Sequence, residues 1–134
     1  MLTIPEAIHR AVLEHARQGF PLEVCGILGG TDGCVKSHFP MTNTDASNEH
    51  FTMEPREQFS VVKALRAEGQ EMVAIYHSHP ESPARPSEED IRLAFTPNVY
   101  HLIVSLLDRE QPVAKAFSIS DGVVEAAEIT IAAG

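Results

Sequence analysis

The sequence predicts an α/β (α+β) fold in which helices pack on a mixed, largely antiparallel sheet. Three observations support this class. Apolar residues recur at helical spacing near the N-terminus and again after Pro55. Residues 72–79 are rich in β-branched and aromatic side chains, as is typical of a strand. Three more runs of this kind end the chain, separated by short turn signals that favour antiparallel pairing.

The first predicted helix begins at Thr3. Thr3 and Glu6 have the spacing of a capping box, in which each side chain bonds the backbone N–H of the other residue. Apolar residues then follow along one helical face, at Ile4, Ile8, Ala11, Val12 and Ala16. Gly19 offers a C-terminal stop.

A hairpin is predicted next. Residues 24–30 are apolar and glycine-rich and form its first strand, and residues 34–40 return beside it. We prefer Asp32-Gly33 as the turn, because this dipeptide is a strong signal for a two-residue hairpin loop. Residues 41–50 are polar and predict a loop.

The chain has two cysteines, Cys25 and Cys34. With the preferred turn they do not face each other, so we expect free thiols. A turn at Gly29-Gly30 would instead place them opposite each other and permit a disulfide.

A second helix is predicted from Pro55, where a missing backbone N–H costs least. Its apolar side carries Phe59, Val62 and Leu65. Gly69 closes it.

The remaining elements follow the strand at 72–79. Three prolines, at 80, 83 and 86, stiffen the next segment, and a third helix is predicted from Ser87 to Phe95. The last strands are predicted at 99–106, 112–119 and 123–130, with turns near Asp108 and at Asp121-Gly122.

Composition limits the function classes. Residues 1–134 fit one domain, and 43% hydrophobic with 22% charged residues is the mix of a globular protein. The net charge of −9 argues against a nucleic-acid partner and suits one with a basic patch or a flexible tail. The chain shows neither a signal peptide nor an apolar run long enough to cross a bilayer, so we expect a cytoplasmic protein with no membrane partner.

A candidate metal site lies at the end of the strand at 72–79. His77 and His79 are two residues apart, so on a strand their side chains point to the same face. Asp90, on the first turn of the next helix, can supply a third ligand. Two histidines and one carboxylate leave the fourth zinc position open, which is typical of a catalytic site.

The same residues have a simpler interpretation. Ser87 and Asp90 form a capping box that needs no metal, and a His-x-His pair alone is more often structural than ligating. The combination of paired histidines, a stiff loop and a carboxylate within reach favours the metal site.

These residues resemble a known family. The pattern His77-x-His79-x7-Ser87-x2-Asp90 is the motif of the JAMM metalloproteases, also called the MPN-plus or Mov34 family, and Glu23 stands where that family has an upstream glutamate. Further similarity covers Asn43, MEPREQF, IYHSHP, RPSEEDI and YHLIVSL. The resemblance implies a three-layer JAMM/MPN fold like that of cytidine deaminase, in the small stand-alone prokaryotic branch.

The resemblance also implies roles. His77, His79 and Asp90 would hold one Zn²⁺, Glu23 would act as general base, and Ser87 would donate its hydroxyl to the oxyanion.

The implied activity is a zinc-dependent peptidase or isopeptidase. Its substrate would be a ubiquitin-like or sulfur-carrier protein with a Gly-Gly tail, cut after the last glycine, as in sulfur-carrier-protein–cysteine peptidases. Such a tail could add itself as a strand beside the active-site strand. The alternative is a non-catalytic protein-binding module whose zinc is structural, and a homodimer stays open.

Other candidate residues receive structural interpretations. We expect His9 and His15 on the surface and His101 in the core with a hydrogen-bonded partner. Cys25 is interpreted as a buried thiol, and Glu88 and Glu89 as solvated.

Overall fold

The structure is a computed structural model that describes all residues, 1–134. Eight strands are present: β1 (Leu2–Pro5), β2 (Cys25–Thr31), β3 (Cys34–Met41), β4 (Glu71–His79), β5 (Tyr100–Ser105), β6 (Val113–Ser120), β7 (Val123–Ala127) and β8 (Ile129–Ala132). The three helices are α1 (Glu6–Gly19), α2 (Pro55–Ala67) and α3 (Glu88–Arg92). None of them combines the length and the apolar character that crossing a membrane requires.

All eight strands form one mixed sheet in the order β7-β6-β5-β4-β2-β3-β1-β8. The pairs β1–β3, β1–β8 and β4–β5 are parallel, and the other four are antiparallel. The edge strands β7 and β8 are separated in the chain only by Glu128, so the sheet curls until its two edges approach each other.

The two faces of the sheet carry separate cores. Because side chains alternate along β4, Ala74 and Tyr76 pack on the α1 side, whereas Ile75 packs on the α2 side. Val12 belongs to the first core and Leu65 to the second. The sheet therefore lies between helices, which confirms the predicted mixed sheet flanked by helices.

The N-terminal capping box was a wrong prediction. Thr3 lies in β1, paired with Cys34 on one side and Thr130 on the other, and α1 begins only at Glu6 without a side-chain cap. Its neighbour Ile4 precedes a proline, which disfavours the helical conformation at that position.

Two helix predictions also need correction. Phe59 is 67% exposed, and the buried face of α2 carries Val61 and Leu65. The α3 helix is shorter than the predicted segment from Ser87 to Phe95.

The strand predicted at 123–130 is two strands. β7 pairs antiparallel with β6 across the turn at Asp121-Gly122, while β8 pairs parallel with β1. The curl of the sheet makes this division necessary, since one short segment supplies both of its edges.

The predicted hairpin turn is confirmed. Asp32 and Gly33 both have positive φ, at 51° and 76°, as a two-residue hairpin turn of type I′ requires. In this register Cys25 pairs with Met41 and Cys34 with Thr31, so the two thiols are free.

Candidate metal centre and active site

Three candidate ligand atoms converge at the C-terminal end of β4. His77 Nε2 lies 3.2 Å from His79 Nε2 and 3.1 Å from Asp90 Oδ2, and His79 Nε2 lies 3.0 Å from the same oxygen. We call these three atoms the ligand triangle. It contains the three side chains that the sequence predicted to meet.

The triangle fits a small divalent cation. In a tetrahedral zinc site with bonds of about 2.0–2.1 Å, neighbouring ligand atoms are about 3.3–3.4 Å apart. The edges of the triangle are within a few tenths of an ångström of that value, and two imidazoles with one carboxylate are donors that zinc accepts.

Backbone geometry accounts for the position of each ligand. His77 and His79 lie on one face of β4 and are 2% and 6% exposed. Asp90 lies on the first turn of α3 at N3 of a capping box, with Ser87 Oγ accepting from its backbone N–H at 3.0 Å. The sheet places the imidazoles and the cap places the carboxylate.

Asp90 is held in its ionised form. Burial by itself would raise the pKa of Asp90, but hydrogen bonds with His77 and His79 outweigh it, and the backbone N–H of Ser87 adds to them. The pKa of Asp90 therefore lies below its ordinary value. An ionised carboxylate between two imidazoles is a ready cation ligand.

The imidazoles of His77 and His79 differ in the contacts of their Nδ1 atoms. His79 Nδ1 lies 2.9 Å from the carbonyl oxygen of Pro83, which can accept its proton and leave Nε2 free to bind a metal. His77 stacks on the ring of Phe51 at 4.7 Å between centroids, and its buried Nδ1 has no partner.

Glu23 lies just before β2. Its backbone N–H donates to the Ser47 carbonyl at 2.8 Å, and its carbonyl accepts from Asn43 Nδ2 at 3.1 Å. Cys25 pairs with His77 across the antiparallel β2–β4 ladder, so Glu23, two residues earlier, stands on the His79 side.

The carboxyl group of Glu23 is suited to proton transfer near neutral pH. It is 5% exposed and its Oε1 has no hydrogen-bond partner. Burial raises the pKa of Glu23 to about 7, against the opposing charge of His79 and with a further increase from Asp90. A general base works best when its pKa lies near the operating pH.

Ser87 is exposed at the start of α3. Its hydroxyl oxygen accepts the Asp90 N–H, which leaves the hydroxyl proton free to donate elsewhere. Its cap role is thus compatible with donation to a bound group.

The chain matches a known family over most of its length. The family described as prokaryotic homologs of the JAB domain matches residues 5–120. The chain belongs to this family.

Relatives of this JAB-family chain carry peptidase names. The CysO-cysteine peptidase of Mycobacterium tuberculosis is 34% identical over 126 residues, covering 92% of this chain and 86% of that protein. The desampylase of Haloferax volcanii is 36% identical over 102 residues, covering 71% and 73%. The predicted class of enzyme, a peptidase or isopeptidase, is confirmed.

Solved structures confirm the predicted JAMM/MPN fold. The solution structure of a protein from Desulfitobacterium hafniense has 45% identity and a TM-score of 0.91, covering 100% of this chain and 94% of that one. The crystal structure of a JAB1/MPN domain protein from Archaeoglobus fulgidus has a TM-score of 0.66 at 23% identity, covering 98% and 97%.

Two residues that support this JAB-family site were not singled out for it from the sequence. Ser78 Oγ accepts the Val24 N–H at 2.8 Å and so ties the backbone beside Glu23 to β4. Phe51 covers the His77 ring. The position of Ser78 between two candidate ligands was a usable signal, whereas nothing local distinguishes Phe51.

Asn43 was singled out only by the family resemblance, and the structure shows that its side chain forms several hydrogen bonds to backbone groups. Its Nδ2 donates to the carbonyls of Glu23 and His50, and its Oδ1 accepts from Asp45 and Thr52 N–H groups. Asn43 therefore fastens the loop that follows β3 to the segment that carries Glu23.

Two histidine predictions were wrong in part. His15 is half-buried, with Nδ1 2.6 Å from the buried Tyr76 hydroxyl, so it is not simply a surface residue. His101 is in the core as predicted, at 9% exposure, but its Nε2 has no hydrogen-bonded partner. Cys25 is a buried thiol as expected, and burial raises its pKa to about 12.

A cavity of about 340 Å³ adjoins the ligand triangle. His77, Asp90 and His101 contribute to its lining, and most of its other walls are apolar. The triangle therefore borders a partly open cavity that is large enough for a side chain.

Proposed function

We propose that this chain is a zinc-dependent peptidase or isopeptidase. It would hydrolyse the bond after the C-terminal glycine of a ubiquitin-like or sulfur-carrier protein. His77, His79 and Asp90 would hold the ion. The observation that carries the proposal is the ligand triangle with the unpartnered carboxyl of Glu23 on its His79 side.

Zinc bound there would act as a Lewis acid and lower the pKa of a coordinated water from 15.7 to about 7. Glu23 would accept a proton from the attacking water at Oε1 and pass it to the leaving amine. In the metal-free protein, burial raises the pKa of Glu23 to about 7, close to the working pH of a general base. Ser87 would donate its free hydroxyl proton to the substrate carbonyl oxygen as negative charge develops.

The substrate class is inferred from the names of the relatives and from the net charge of the chain. Relatives are named as a CysO-cysteine peptidase and a desampylase. The chain itself is acidic, with a net charge of −9, which suits a partner with basic groups near its tail.

The sequence suggested that a glycine tail could add a strand beside β4. The structure leaves no free edge of β4 for such a strand at His77. His77 pairs with Cys25 of β2 and with Ile103 of β5, so both backbone edges of β4 are occupied there. The tail would instead cross the end of β4 between the loop carrying Phe51 and the segment carrying Pro83, both of which contact the ligand imidazoles. Glycines suit this approach because they carry no side chains.

We propose that the reaction takes place in the cytoplasm. The register of the β2–β3 hairpin keeps Cys25 and Cys34 apart as free thiols, the state typical of a reducing compartment.

The first test concerns the metal. Native mass spectrometry should find one zinc per chain in the wild type and a weakened site in Asp90→Ala. Glu88→Ala is the matched control, because Glu88 is an exposed acid on the same helix turn. Absence of zinc from the wild type, even after the metal is added, would contradict the proposal.

The second test separates an enzyme from a binding module with structural zinc. The substrates are sulfur-carrier and ubiquitin-like proteins that end in Gly-Gly. In one set the last glycine is followed by a cysteine, and in the other it is joined to a lysine side chain. Mass spectrometry detects the carrier protein with its freed Gly-Gly tail after incubation with the chain. Glu23→Gln should keep zinc and lose nearly all turnover. Full activity in this variant would remove Glu23 from the mechanism, and no cleavage of any substrate by the wild type would favour the binding module.

A further inference from the structure

Two buried nitrogens on one face of the sheet lack hydrogen-bond partners. They are His77 Nδ1 and His101 Nε2, and the only other buried side-chain polar atom without a partner is Glu23 Oε1. Buried polar atoms are rarely left unpaired, so each calls for an explanation.

The strand register brings these two histidines close together. β4 and β5 are parallel, with Ile75 opposite His101 and His77 opposite Ile103. His77 and His101 are therefore diagonal neighbours on the same face, a spacing of about 7–8 Å between backbones that aromatic side chains can bridge. Both rings also line the cavity beside the ligand triangle.

A ligating histidine needs an acceptor for its other ring nitrogen. His77 points Nε2 into the triangle, so its proton must reside on Nδ1 when Nε2 binds a metal. For His79, the carbonyl oxygen of Pro83 takes that role. His77 has no equivalent partner in the structure.

Of the other two unpartnered atoms, His101 Nε2 is the better candidate. Glu23 lies on the side of β4 where β2 pairs. It precedes Cys25, the partner of His77, by two residues and is therefore closer to His79. His101 lies on the opposite neighbour, β5. Burial lowers the pKa of His101, and a neutral imidazole keeps one nitrogen free to accept.

We propose that His101 is the positioning residue for His77. Its Nε2 accepts the Nδ1 proton of His77 and so holds that imidazole in the tautomer and orientation that keep Nε2 in the ligand triangle. The structure does not contain this hydrogen bond, so its formation requires the His101 ring to rotate within the cavity that it lines, while His77 keeps Nε2 in the triangle. This inference rests on the proposed zinc site.

The tautomers can be observed directly in the zinc-loaded wild type. Long-range ¹H–¹⁵N NMR should show His77 and His101 both protonated on Nδ1, with His101 Nε2 unprotonated. A proton on His101 Nε2 would overturn the proposal, because that nitrogen could not then accept.

Substitutions supply a second readout, the zinc affinity measured by chelator competition. His101→Leu removes the acceptor and should weaken zinc binding about 10–100-fold, the usual effect of losing such a partner. His101→Gln places an amide group near the position of Nε2 and should restore most of the affinity. Ile119→Val, which alters the same cavity wall without a polar group, is the control and should leave affinity unchanged.

The outcomes distinguish this inference from the proposed function. No zinc in the wild type would defeat the zinc site itself. Zinc bound equally by wild type and His101→Leu would overturn only the role of His101. If His101→Leu does not fold, the tautomer of His101 in the wild type still decides the question.

Discussion

Asp90 Oδ2 accepts the backbone N–H of Ser87 at 2.9 Å while the same oxygen lies 3.0 and 3.1 Å from the Nε2 atoms of His79 and His77. One carboxylate oxygen thus closes a capping box and forms one corner of the ligand triangle. The cap orients the carboxylate before any ligand arrives, which reduces the ordering needed on binding. The two interpretations of this segment, helix cap and metal site, are therefore not alternatives.

Substitutions should separate these two roles. Asp90→Asn keeps an oxygen for the Ser87 N–H but removes the charge, so we expect zinc binding to weaken strongly while the cap is largely kept. Ser87→Ala removes the acceptor for the Asp90 N–H and should destabilise the metal-free protein by about 0.5–2 kcal/mol while zinc still binds. Chelator competition and urea unfolding measure the two effects. Loss of zinc from Ser87→Ala but not from Asp90→Asn would contradict this assignment.

Glu23 should make the metal-free protein less stable as the pH rises. Its pKa of about 7 in the folded state exceeds the ordinary value of 4.5. The folded state therefore binds the proton more tightly, and this stabilisation is fully present below pH 4.5 and lost as the pH rises through 7. The difference corresponds to roughly 3 kcal/mol.

Glu23→Gln tests this dependence, because glutamine has nearly the same shape and does not titrate. In urea unfolding with a chelator present, the variant should be more stable than the wild type above pH 7. The two should converge near pH 4. Glu88→Gln, an exposed neighbour of the site, should follow the wild type at every pH. Parallel curves for Glu23→Gln and wild type would rule out the raised pKa.

Gly26 should not tolerate a side chain. A methyl group there would overlap the ring and hydroxyl of Tyr76, which is fully buried across the β2–β4 ladder. We expect Gly26→Ala to lose about 3 kcal/mol or more of unfolding free energy, since overpacking in a rigid core is costly. Gly69→Ala is the control, because its site is open and only its positive φ of 67° is unfavourable, at about 1 kcal/mol. Equal losses would contradict the overlap.

The two thiols should react at very different rates. Cys34 is exposed, whereas Cys25 is fully buried with its pKa raised to about 12 by burial. Iodoacetamide should label Cys34 within minutes and Cys25 only after denaturation, as followed by peptide mass spectrometry. A disulfide between them, or fast labelling of both, would contradict the hairpin register.

Local patterns predicted the ligand triangle well. His77 and His79 share a face because side chains alternate along any strand, and Asp90 is oriented by a cap that spans three residues. The Asp32-Gly33 turn was predictable for the same reason, because its positive φ values are a property of two adjacent residues.

Features that depend on distant pairing were missed. The first strand pairs Leu2 with Ile129, and the half-buried His15 is hydrogen-bonded to the hydroxyl of Tyr76, which is 61 residues away in the chain. The residues around Thr3 fit a helix start as well as a strand, and those around His15 fit a surface position as well as a half-buried one.

The sequence by itself determined the donor set, its spacing and the turn that keeps the cysteines apart, because each depends on residues close together in the chain. Only the tertiary structure decided that Glu23 stands beside the triangle, that both edges of β4 are occupied, and that His101 and His77 share a face. These relationships arise from the register of β4 with β2 and β5. A shift of one residue in either ladder would turn the facing side chains to the opposite side of the sheet, and the register is chosen by which faces the folded sheet buries.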